Sequence, residues 1–99
     1  MGYAAGLSVT TGTFNTLIGG LTGDALTDAD FNVAVGTQSL TADTLGSKSV
    51  AVGHGTLNAQ NFTSATDTFN TAVGHAAGLS ISTAIENTLI GGLAGDAIT

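Results

Sequence analysis

Short β-branched triplets, each closed by glycine, recur along the chain: Thr16-Leu17-Ile18, Val33-Ala34-Val35, Val50-Ala51-Val52, Thr71-Ala72-Val73 and Thr88-Leu89-Ile90. Triplets of this kind bounded by glycine predict one short strand per unit. A second short strand is expected around Ser8-Val9-Thr10, Ala25-Leu26-Thr27, Ser80-Ile81-Ser82 and Ala97-Ile98-Thr99. In the two middle units the apolar position moves to Leu45 and Phe62, two places beyond Asp43 and Gln60. A shift of two keeps the same strand face. No stretch sustains a helical period and glycine comes every few residues, so helices are not expected.

The spacing between triplets sets the architecture. Asn15, Asn32 and Ser49 recur at a constant interval of 17, Asn70 follows after 21, and Asn87 after another 17. Each opens one unit, and residues 1–14 read as a unit whose beginning is missing. Gly2 to Thr27 also matches Gly74 to Thr99 at an offset of 72. The chain therefore reads as a single repeat array over 1–99, a window of a longer fibre. Units this short cannot bury an apolar face alone and must stack. Two strands and two turns per unit predict an all-β fold, a parallel β-solenoid of about six coils. Gly2, Gly19, Gly36, Gly53, Gly74 and Gly91 form the corner column, where positive φ and close backbone approach are needed.

Side chains adjacent in a strand point to opposite faces. Both faces of the first strand are apolar: Leu17 and Ile18, Ala34 and Val35, Ala51 and Val52, Ala72 and Val73, Leu89 and Ile90. One face fills the interior of the coil. The other needs a partner, and association of copies is the simplest cover.

Composition narrows the function. One Lys, no Arg and a net charge of −6 leave almost nothing to neutralise phosphates, which argues against nucleic-acid binding. There is no cysteine, and no run of apolar residues long enough to insert into a membrane.

The motifs "NTLIG", "NVAVG", "SVAVG" and "NTAVG" resemble the N/S-x-A-[IV]-G repeats in the heads of trimeric autotransporter adhesins, the Yersinia adhesin head type. They are also similar to arrays in bacteriophage tail fibres. The resemblance covers the whole chain and implies a left-handed β-roll, a homotrimer, and an extracellular attachment fibre on a bacterial surface or a virion. A surface receptor or glycan would be its target. The adhesin heads use mostly shorter coils, so the longer units here leave room for larger outer turns.

Several residues invite other chemistry. Gly19 to Thr27 approximates the calcium nonapeptide G-G-x-G-x-D-x-U-x, but the third glycine is one place late and the next copy begins only at Gly91. An ion held between consecutive turns needs immediate recurrence. Asp24 and Asp96 are therefore expected to accept backbone N–H bonds at a turn. His54 and His75 follow the corner glycine in adjacent units and should stack as solvated residues. Facing a three-fold axis, such imidazoles from three chains could instead bind a metal. Phe14, Phe31 and Phe69 share a column with Lys48 and Glu86, read as packing, with a carbohydrate platform as the alternative. Thr10, Thr27, Thr44, Ser82 and Thr99 form one hydroxyl row, interrupted by Asn61, where an ice-binding solenoid needs two. The acidic residues lie mostly in turns with no nucleophile constellation beside them. The expectation is a non-enzymatic structural segment without cofactor or metal; the rival reading is a self-assembling extracellular filament.

Overall fold

The computed structural model describes residues 1–99. It is all-β, a parallel β-solenoid of about four turns. Strands β1 (Thr16–Ile18), β2 (Val33–Val35), β4 (Val50–Val52), β6 (Thr71–Val73) and β7 (Thr88–Ile90) form one sheet, in that order. All four pairings are parallel and residue for residue in register, Leu17 beside Ala34 and Ala34 beside Ala51. The five rungs bound four full turns, where six coils were expected. The segments before β1 and after β7 continue the winding without a strand of their own.

The second expected strand per unit is absent. At those positions neighbouring coils share backbone bonds that build no strand, such as Thr10 N–H to Thr27 O (3.1 Å), Thr27 to Thr44 (3.0 Å) and Ser82 to Thr99 (2.8 Å). The cause lies just upstream, where residues with positive φ recur two apart, at Leu21 and Gly23 and at Gln38 and Leu40. Chain curled this way cannot run extended. A second ladder does occur elsewhere: β3 (Gly46–Ser47) pairs with β5 (Thr66–Asp67). Only 9 of the 56 backbone hydrogen bonds lie within strands, and others, such as Gly23 N–H to Ser39 O and Gln38 N–H to Gly20 O, join the turns of neighbouring coils.

The asparagine column explains the other corner. Asn32 donates through Nδ2 to Gly46 O and accepts at Oδ1 from the N–H of Ser49 in the next coil. Asn15 and Asn70 hold Ala29 O with Asn32 N–H, and Ala84 O with Asn87 N–H, in the same way. Each clamp spans one corner of the next coil, where Phe31, Lys48 and Glu86 sit at φ near +60°. Such a conformation costs a side-chain-bearing residue about 1–2 kcal/mol, and the clamp offsets it. Ser49 is too short for this role. There Thr68 substitutes, accepting Asn70 N–H and sharing a 2.6 Å hydrogen bond with Ser49 Oγ.

Volumes alternate inside the coil. The inward residues of the sheet are Leu17, Ala34, Ala51, Ala72 and Leu89, and facing them, four places past the corner glycine, stand Gly23, Leu40, Leu57, Gly78 and Gly95. Large meets small: a Cβ on Gly23 would lie 2.8 Å from Leu17 Cδ2, and one on Gly95 2.8 Å from Leu89. Beside Ala72 and Gly78, Leu57 and Leu89 reach in from the adjoining coils. Close packing makes the sum matter more than either member. Ala51→Leu should therefore cost about 1–3 kcal/mol by overpacking. Adding Leu57→Gly, which copies the Leu17 and Gly23 pairing, should recover most of it in urea unfolding. A double variant no better than Ala51→Leu alone would refute the pairing.

The middle of the core departs from expectation. Leu45 is half-buried and Phe62 is buried, yet neither displaces the polar residues they were expected to replace. Asp43 and Gln60 keep the column of Leu26 and Ile81, all four fully buried. Asp43 Oδ2 accepts from Gln60 Nε2 at 2.6 Å, and its Oδ1 accepts from the N–H of Phe62 (2.9 Å) and of Gly46 (3.2 Å). Gln60 also reaches Ser49 Oγ and accepts from Asn70 Nδ2. Buried polar groups persist where such partners exist, so the long middle unit is tied to its neighbours by hydrogen bonds where the other units use aliphatic packing.

Candidate functional site

Alternation within the strands turns one residue in and two out. The outer face of the sheet thus carries two columns, Thr16, Val33, Val50, Thr71 and Thr88 beside Ile18, Val35, Val52, Val73 and Ile90. All ten are β-branched and none is charged. Ile18 and Ile90 are 42% and 65% exposed. β-branched side chains are stiff at χ1, so this face loses little rotamer entropy when covered. Of the stripe singled out in the sequence, Leu17, Ala34, Ala51, Ala72 and Leu89 face the core, and Ile18, Val35, Val52, Val73 and Ile90 face outward.

Two columns border the face. On the upstream side Phe14 and Phe31 stack at 5.0 Å with planes 9° apart, and Lys48 Nζ lies 5.3 Å over the ring of Phe69 while pairing with Asp67 at 2.7 Å. The two stacked phenylalanines cover each other's adjoining faces. A sugar ring that stacks needs an open aromatic face, which this spacing does not leave between them. Past the glycine corner on the downstream side stand His54 and His75, both exposed, stacked at 5.2 Å and 11°.

The carboxylates join coil to coil. Asp28 accepts from Thr11, Asp30 from the N–H and hydroxyl of Thr13, and Asp24 from Thr41 Oγ1, each pair one coil apart. The expected backbone bonds to Asp24 and Asp96 are not made: Asp24 takes the hydroxyl of the next coil, which its turn brings within reach, and Asp96 is exposed in the final turn. No three His, Cys, Asp or Glu residues converge, and there is no concave pocket.

The glycines of the corner column, Gly2, Gly19, Gly36, Gly53, Gly74 and Gly91, share φ between +125° and +134°. What sequence reasoning missed is the buried pair Asp43 and Gln60. The only available signal was two polar residues standing where Leu26 and Ile81 stand in other units. No family model, no curated protein and no solved structure matches this chain.

Proposed function

We propose that the chain is a non-enzymatic structural segment of an extended trimeric β-roll fibre used for attachment to a host or a surface. The observation that carries this reading is the uncharged, β-branched outer face of the five-stranded sheet, while the seven acidic residues all lie off it. Three such faces turned toward one axis would remove the stripe from water, at roughly 25 cal/mol per Å² of apolar surface buried. In this reading the winding is the left-handed roll of the adhesin-head and phage-fibre resemblance, six coils counting the incomplete ones. The fibre stands outside the cell or on a virion.

Light scattering tests it. A species with three times the mass of the 9.6 kDa chain is the expected result. Val52→Asp places a carboxylate in the centre of the face with no countercharge, and should convert that species to monomer, because a desolvated unpaired charge costs several kcal/mol. Growth without a fixed stoichiometry would favour the filament instead. A parent chain that stays monomeric at all concentrations would overturn the trimer.

A further inference from the structure

We propose that His54 and His75 form a two-imidazole clamp for a divalent transition-metal ion. The two rings stack in register on consecutive turns, 5.2 Å between centroids and 11° between planes. Both are exposed, and their ring nitrogens bond to no protein group. Above His75 the same column holds Gly92, where even an added Cβ would meet nothing nearer than His75 O at 4.0 Å. Below His54 it holds the small side chain of Thr37. The pair therefore has open space beside it for the waters that would complete a coordination shell.

Imidazole nitrogen binds such ions at about 2.0–2.1 Å, which places two ligands of one ion roughly 3–4 Å apart. Parallel rings at the observed spacing need only tilt toward each other about their terminal torsions, which are broad. A backbone-fixed stack gives both ligands to one ion without ordering a loop. The donor set, nitrogen without thiolate or carboxylate, suits copper(II), nickel(II) and zinc(II), with copper the tightest. The net charge of −6 draws cations toward the chain. The one lysine, Lys48, stands upstream of His54, before the strand, and pairs with Asp67.

The test is titration of the full chain with copper(II) alone, read by electron paramagnetic resonance and by thermal unfolding. One ion per chain with two coupled imidazole nitrogens is expected, with a melting temperature that rises as the ion is added. His54→Thr and His75→Gly copy the residues that the column already accepts at Thr37 and Gly92, so both variants should fold. Each should weaken binding by at least about tenfold, the lower bound even for loss of an outer partner of a metal ligand. Thr37→His adds a third ring to the stack and should tighten binding. A spectrum with a single coupled nitrogen, or a His54→Thr or His75→Gly variant that binds as tightly as the parent, would overturn the clamp.

Discussion

Gly53→Ala is expected to cost about 4 kcal/mol or more, a large share of a domain stability that is typically of order 5–15 kcal/mol. Two terms add. The backbone at φ +132° lies where side-chain-bearing residues pay roughly 1–3 kcal/mol. The new Cβ would also stand 2.5 Å from Gly74 O in the next coil, forcing two turns apart across the in-register stack. Two other glycines separate the terms. Gly91 shares the conformation, at φ +125°, but a Cβ there meets nothing nearer than 3.9 Å, so Gly91→Ala should lose only the first. Gly20 has no positive φ and open space, and Gly20→Ala should stay within about 0.5 kcal/mol of the parent. Chemical unfolding should rank the Gly53 variant as the most damaged, then Gly91, then Gly20. Equal losses at Gly53 and Gly91 would show that close approach between coils contributes nothing.

Asp43→Leu should also destabilise by about 3–5 kcal/mol, although it installs the residue that Leu26 supplies one turn earlier. Replacing both partners of a buried polar pair by apolar groups of the same shape can be nearly neutral. Here the sign is decided by what the carboxylate holds. Its removal leaves the N–H of Gly46 and of Phe62 without their acceptor and strands Gln60 Nε2 on one side. Replacing Gln60 with leucine as well would remove the stranded amide but leave the two backbone donors and take from Asn70 Nδ2 its Gln60 acceptor, so the double variant should recover little of the loss. An Asp43→Leu chain as stable in urea as the parent would mean that the backbone there finds other partners. The corner at Gly46 depends on the same carboxylate, since a Cβ at Gly46 would collide with Asp43 Oδ2.

The strands were legible because they meet two demands at once: β-branched residues at Val50 and Val52 with a small inward residue between them, then a glycine where two turns touch. Their register followed from the regular recurrence of the units, since in-register stacking aligns like with like. The His54 and His75 stack was readable for the same reason. The second strand was misread because alternating small and apolar residues around Leu26 and Ile81 satisfy a strand pattern equally well in a curled segment. Nothing local marks Leu21, Gln38 or Leu57 for positive φ; inter-coil hydrogen bonds hold Leu21 and Gln38 there through their own N–H groups. Asp43 and Gln60 escaped detection because polar residues default to the surface in any pattern argument. Their burial depends on partners that only the winding brings alongside, from the neighbouring coils. Of the outer face, the sequence showed an apolar residue on each side of the strand, but only the winding decides which side is interior.

The asparagine clamps reach in a single direction. Asn15, Asn32 and Asn70 each hold the backbone of the coil that follows, and none holds the backbone of the coil before. The stack is therefore polar: these side-chain amides tie each coil to the one after it. Losing one asparagine should loosen the turn downstream of it while leaving the turn that carries it intact.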